Sequence, residues 1–210
     1  MQGKFVSISG GEGGGKTTQL KLLRERLPLL YPSHEFVFTR EPGGSPVAEK
    51  IRELILSDEL KDASGKLMFG LFTTARYDHI EHTILPALQS GKTVICDRFL
   101  QETFAYQVRA MPNPAGMADF LEHQHRIPFD LPLQIIIDID PELARERMKG
   151  RMERMTHFDA RGPEFHRKLR EAFAYWVHTH RQEAVLVDGS RSVEEVHAEI
   201  VDLIRTRILA

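Results

Sequence analysis

Eight residues, Gly10-Gly-Glu-Gly-Gly-Gly-Lys-Thr17, end a glycine-rich run with a lysine and a hydroxyl side chain in the spacing G-x-x-x-x-G-K-[ST]. The apolar run Phe5-Val-Ser-Ile8 leads into it, and Leu20, Leu22, Leu23 and Leu27 follow at helical spacing. Strand, glycine turn and helix together make a phosphate cradle, or P-loop. Its backbone N–H groups face inward and the helix N-terminus adds positive potential. Gly10, Gly11, Glu12, Gly13, Gly14, Gly15, Lys16, Thr17 and Thr18 are the candidate nucleotide contacts. Lys16 is placed to reach the β- and γ-phosphates, and the Thr17 hydroxyl to ligate Mg²⁺. Position 13 is glycine, so the cradle supplies no arginine of its own.

Three further constellations say what could happen to the phosphates. Thr39-Arg-Glu-Pro-Gly-Gly44 follows an apolar run, so Arg40 and Glu41 should emerge beside the cradle at the carboxyl ends of the strands. Thr93-Val-Ile-Cys-Asp97-Arg98-Phe99 is an apolar strand ending in an acid, the Walker B pattern. Asp97 suits the water shell of Mg²⁺, and Arg98 offers a forked cation to a phosphate. Phe72 and Arg76 stand four apart on a helix and share a face, where a ring could stack on a base and a guanidinium could bond its carbonyl.

The elements that must position these residues alternate. Buried-strand runs are expected at 5–9, 35–39, 93–96, 133–139 and 184–187. Helical periodicity is expected at 17–27, 45–57, 64–89, 101–110, 115–126, 141–154, 163–180 and 193–208. This order predicts an α/β fold, a five-stranded parallel sheet flanked by helices. Asp140-Pro141 and the Ser192-x-x-Glu195 capping box open helices, and Gly91 closes one. Residues 1–210 read as a single domain with a polar, basic, mobile insertion at about 149–163.

Bulk properties exclude other classes. A net charge of −2 argues against a dedicated nucleic-acid binder. No apolar run reaches the ~18 residues of a membrane span, and strand 1 begins too early for a signal peptide. One cysteine, Cys96, fits a reducing compartment, so a cytoplasmic location is expected. Neither an Asn-Lys-x-Asp guanine reader nor an Asp-x-x-Gly after the third strand is present, which counts against a GTPase switch.

With these residues in place the chain resembles the bacterial thymidylate kinases. The matching segments are the cradle with its leading strand, Thr39–Gly44, Leu71–His79, Val94–Phe99 with Ala105-Tyr-Gln107, Ile137–Pro141 and the helix around Phe165–Arg170. The resemblance implies the P-loop NTPase fold with a small lid, transfer of the γ-phosphoryl of ATP to dTMP, Mg²⁺ as the metal, and a homodimer. A kinase of the same fold acting on another nucleoside monophosphate or a deoxynucleoside is the alternative. It implies that Glu12 faces the acceptor sugar and that Arg98 and Arg40 clamp the acceptor phosphate. Phe72 then stacks on thymine, Arg76 bonds its carbonyl, and Thr103, Tyr106 and Gln107 line the pocket. Catalytic cations come from the lid, with Arg151 and Arg147 ahead of Arg154, beside Lys16 and Arg98. The chain departs from the family pattern at Ser9 (usually Glu), at Glu102 (usually a small hydroxyl residue), at Val108-Arg109-Ala110 and at Thr156-His157-Phe158-Asp159.

Overall fold

The computed structural model describes residues 3–148, 156–158 and 161–210. Five parallel strands form one sheet in the order β2-β3-β1-β4-β5. They are β1 (Phe5–Gly10), β2 (Phe36–Arg40), β3 (Thr93–Asp97), β4 (Leu133–Asp138) and β5 (Ala184–Asp188). Every residue of β1 is buried, which is why its sequence reads as a nearly continuous apolar run instead of an alternation.

Alternate strand residues feed two cores. Phe5, Val94, Cys96 and Ile136 pack on one face of the sheet, with side chains such as Phe99, Leu169 and Trp176. Val6, Ile8, Ile95, Ile135 and Ile137 pack on the other, with Leu23, Leu27, Ile200 and Ile204. The helices carrying the second set are α1 (Lys16–Leu30) and α9 (Val193–Ile204). The first face is covered by α3 (Gly65–His79), α5 (Leu100–Thr103) and α8 (Pro163–Thr179). The other α-helices among the described residues are α2 (Pro46–Leu56), α4 (Leu85–Gln89), α6 (Met117–His125) and α7 (Pro141–Met148).

Most local signals act as the sequence suggests. Ser192 and Glu195 form the reciprocal capping box of α9. Asp140 Oδ1 accepts the Glu142 N–H at the start of α7. The helix expected over 64–89 is continuous but changes winding: a π-helical stretch, Ile80–Ile84, links α3 to α4. The one expected over 101–110 is α5 followed by a π-helical stretch, Phe104–Ala110. Such stretches recur at functional sites, where they reset which side chains face inward. Helix α7 is described to Met148, so the expected continuation to 154 lies outside the described residues.

Strand register brings the chemistry together. Ile8 and Arg40 both pair with Asp97, so the ends of β1, β2 and β3 are level. The glycine turn, the Thr39–Gly44 segment and the Asp97-Arg98 pair therefore leave the sheet side by side.

Candidate active site

The cradle is shaped by its glycines. Gly13 and Gly15 have φ of 73° and 92°, values that L side chains rarely adopt. A Cβ on Gly13 would also stand 2.7 Å from the Ala144 carbonyl oxygen, so α7 lies directly over that position. This gives a physical reason for the missing cradle arginine: no side chain fits there. Lys16 is buried, and its ammonium donates to the Gly10 and Gly11 carbonyls at 2.7 and 2.8 Å. It is thus parked on the loop that it would leave to meet a phosphate.

Thr17 and Asp97 line one cleft beside the cradle, together with Thr39, Arg40 and Glu49. Asp97 Oδ1 is buried with no hydrogen-bond partner among the described residues. An orphaned carboxylate oxygen and a threonine hydroxyl on residues lining one cleft are donors of the kind Mg²⁺ uses in P-loop enzymes. No cluster of three or more His, Cys, Asp or Glu side chains among the described residues could hold a metal by itself. That fits an ion completed by nucleotide phosphates and water.

A second cavity opens on the other side of Arg98. Glu12, Arg52, Phe72, Arg76, Arg98, Glu102, Thr103, Tyr106 and Gln107 all contribute to its wall. It contains every acceptor residue expected from the sequence except Arg40. Arg40 is half exposed, pairs with Glu49 at 2.9 Å and faces the Thr17–Asp97 cleft. The basic residue of that region that does reach the cavity is Arg52, whose Nη1 donates to the Pro42 carbonyl at 2.8 Å. Sequence reasoning missed it. The available signal was its place four residues before Leu56, which lines the same cavity from one face of α2.

Arg98 sits in the left-handed region at φ 69°, strained for a residue with a side chain. Its Nη2 donates to Glu12 Oε1 at 2.6 Å and its Nη1 to Glu102 Oε2 at 2.8 Å. Tyr106 donates its phenol proton to the same Glu12 oxygen at 3.2 Å. Burial works to raise the Glu12 pKa, but Arg98, Lys16 and these hydrogen bonds outweigh it and hold the carboxyl at about 2. For Glu102 the balance reverses: burial pushes its pKa up despite Arg98 and Lys16, and Glu12 pushes the same way.

Arg76 is nearly completely buried and anchors a polar chain. Its Nε donates to Glu41 Oε2 at 2.7 Å, its Nη2 to Thr103 Oγ1 at 2.9 Å, and its Nη1 meets His123 Nε2 at 3.0 Å. Glu41 also meets His79 Nδ1 at 3.2 Å, and His79 Nε2 lies 2.7 Å from Thr39 Oγ1. Burial opposes ionisation of Glu41, yet Arg76 and His79 keep its pKa low. Burial and the Arg76 cation push His123 down to about 3, so it is neutral. Its Nε2 must then accept from Arg76, which leaves Nδ1 to donate to the Tyr77 hydroxyl at 3.1 Å. The turn before α2 is built around this chain. A Cβ on Gly44 (φ +83°) would fall 2.4 Å from His79 Nε2.

Phe72 contributes its ring to the cavity wall, edge-on to Phe158 with centroids 6.4 Å apart. Phe158 is buried, also meets Tyr106 edge-on at 5.8 Å, and belongs to the segment that departs from the family pattern. Its neighbour His157 meets the Ile55 carbonyl at 2.9 Å through Nε2. The segment 156–158 is thus tied to α2. Arg147 bonds the Gly189 and Ser190 carbonyls at 2.8 and 3.4 Å, on the turn before α9. Arg151 and Arg154 lie outside the described residues.

The thymidylate kinase family model matches residues 8–200. The chain belongs to that family. A thymidylate kinase of Ruegeria pomeroyi is 37% identical over 206 residues, covering 98% of this chain and 96% of the relative. One of Rhodopseudomonas palustris is 38% identical over 216 residues, covering 99% and 91%. In fold the chain is similar to the crystal structure of thymidylate kinase from Ehrlichia chaffeensis, with a TM-score of 0.77 at 24% identity over 97% of this chain and 100% of that one. As a family member the chain is a nucleoside monophosphate kinase, and the P-loop NTPase fold that the resemblance implies is the fold found. Among the described residues no helix is long and apolar enough to cross a membrane.

Proposed function

We infer that the chain binds ATP in the Gly10–Thr18 cradle and dTMP in the neighbouring cavity, and transfers the γ-phosphoryl group from the first to the second. Family membership carries the reaction. The observation that carries the placement is one cavity lined by Phe72, Arg76, Arg98 and Arg52 together. A flat apolar ring beside a rigid donor fork suits a pyrimidine with carbonyl edges, and the two guanidiniums suit a phosphate dianion. Glu12 lies between the cradle and the cavity, where a sugar hydroxyl can donate to it.

The acceptor oxygen is already anionic, so no general base is needed. The work is positioning and neutralising charge on the phosphoryl oxygens. Lys16 exchanges its two carbonyls for phosphate oxygens. Arg98 holds the acceptor phosphate against the cradle while Glu12 fixes the guanidinium's other edge. Thr17 and Asp97 would hold Mg²⁺, which supplies charge neutralisation on the nucleotide when bound. Residues about 149–163 act as a lid that excludes water and brings Arg151 or Arg154 toward the transferred group, with Arg147 supplied from α7 at its base. We further expect a single domain working as a cytoplasmic homodimer, independent of nucleic acid; sedimentation of the purified chain tests the assembly.

Coupled ADP-release assays with dTMP, dUMP, dCMP, dGMP and thymidine test the substrate. dTMP should give the highest kcat/KM. Preference for dCMP, dGMP or thymidine would overturn the reading of the cavity.

A further inference from the structure

Positions 9 and 102 both depart from the family pattern, and the structure makes them neighbours. The resemblance implies a carboxylate at position 9 and a small hydroxyl residue at 102, and this chain carries Ser9 and Glu102 there. Side chains alternate along a strand, so Ser7 and Ser9 share a face of β1. Ser7 Oγ accepts from Gln101 Nε2 at 2.6 Å, so that face is turned toward α5, which carries Glu102. Ser9 is buried, and its hydroxyl has no hydrogen-bond partner among the described residues.

Glu102 spends its two oxygens on two different halves of the site. Oε1 accepts the N–H of Gly10, the first cradle residue, at 3.2 Å. Oε2 accepts from Arg98 Nη1 at 2.8 Å. The carboxylate sits buried in the acceptor cavity wall. Lys16 and Arg98 both act on the two carboxylates, Glu12 and Glu102.

We propose that Glu102 is a positioning residue that locks the Arg98 guanidinium to the first peptide of the cradle, replacing from α5 the carboxylate that the family pattern carries at position 9. The proposal rests on the reading of Arg98 as the clamp of the acceptor phosphate. Its consequence is a mechanical link: a shift of the cradle on binding ATP is passed through one carboxylate to the group that holds dTMP. Glutamine at 102 would keep an acceptor for Gly10 but turn an amide, not a carboxylate, toward Arg98. Serine would lose both contacts. A second glutamate at position 9 would leave three carboxylates against two cations.

The test is steady-state kinetics and thermal melts of the full chain. Glu102→Gln should raise the KM for dTMP about tenfold and leave that for ATP within about twofold, the mark of losing one charge-assisted bond. Glu102→Ser should lose about 100-fold in kcat/KM for dTMP. Ser9→Glu alone should also lower it, whereas the Ser9→Glu/Glu102→Ser double variant should recover at least about tenfold over Glu102→Ser. If Glu102→Ser does not fold, Glu102→Gln decides. A Glu102→Gln protein that melts lower but keeps both KM values refutes the positioning role. Strictly multiplicative losses in the double variant refute the exchange between positions 9 and 102. Arg98→Ala, run alongside, separates the two layers. If it keeps turnover, the clamp reading fails. If it is inactive while Glu102→Gln matches the parent, only the present inference fails.

Discussion

The two halves of the site are made of different material. The ATP cradle comes from consecutive residues and works through backbone N–H groups, with glycines where the turn demands positive φ. The acceptor cavity comes from six separate segments and works through side chains. Its key groups are buried and charged, and each is held by another: Arg76 by Glu41, Thr103 and His123, and Arg98 by Glu12 and Glu102. A backbone site needs only local geometry. A buried side-chain site needs a satisfied network, because an unpaired buried charge costs several kcal/mol.

The widest separation between the halves should come from removing their principal cations. Lys16→Ala should cut kcat about 10³-fold or more, the scale of losing a phosphoryl-stabilising cation. It should leave dTMP binding by calorimetry nearly unchanged, because among the described residues the hydrogen bonds of its ammonium go to two loop carbonyls. Arg98→Ala should cost as much in turnover but weaken dTMP binding strongly. It should also melt lower, since Glu12 and Glu102 lose their shared partner. Equal effects of both variants on dTMP binding would erase the distinction.

That difference also governs what the sequence could tell. The cradle was legible as a string, since its function lies in local backbone. Five parallel strands followed from periodicity, so Asp97 and Arg98 could be placed at a strand end; the strand order and the level ends of β1, β2 and β3 required the fold. The acceptor network was legible only as residue types. Nothing local says that Glu41 would bury itself on Arg76, or that His123 on a distant helix would take Arg76's third edge. A lone histidine on an amphipathic helix reads as surface or core. Arg52 was hidden for the same reason, and Arg40, adjacent in sequence to Glu41, turned to the other cleft. A side chain's direction at the end of a strand depends on a turn that the sequence marks but does not aim. Glu102 was visible as an anomaly; its two contacts required the fold.

Next in size is Arg76. Arg76→Met removes the cation from a carboxylate that is almost wholly buried, so folding stability should fall by about 3–5 kcal/mol in urea denaturation. The double variant Arg76→Met/Glu41→Gln should regain part of that stability and none of the dTMP affinity. Recovery of both would mean that Arg76 serves the fold alone.

Acid should strike the acceptor half first. Glu12 has its folded pKa depressed from 4.5 to about 2, so its ionised form adds stability that is fully present above about 4.5 and drains away as pH falls toward 2. The contribution is of order 3 kcal/mol at neutral pH. The stability difference between the parent chain and Glu12→Gln, read by chemical denaturation, should therefore be constant from pH 7 to about pH 5 and shrink below it. A difference that grew on acidification would mean Glu12 is not held ionised by Arg98. Apart from Glu12, the cradle carries no carboxylate.

The smallest effect isolates the base end. Phe72 has no charged partner; its ring stands edge-on to Phe158 and lines the cavity. Phe72→Ala should remove about 1–3 kcal/mol of stacking, seen as a rise of about 10- to 100-fold in the KM for dTMP. The KM for ATP should stay put, because no atom of Phe72 faces the cradle cleft. Phe72→Leu keeps apolar area but loses the π-face, so it should fall between. If leucine matches the parent, the ring is serving as packing against Phe158, and recognition at this end passes to Arg76 alone. If leucine is as poor as alanine, the flat face is what the base requires, and the acceptor half depends on the identity of a side chain in a way that no residue of the cradle except Lys16 and Thr17 does.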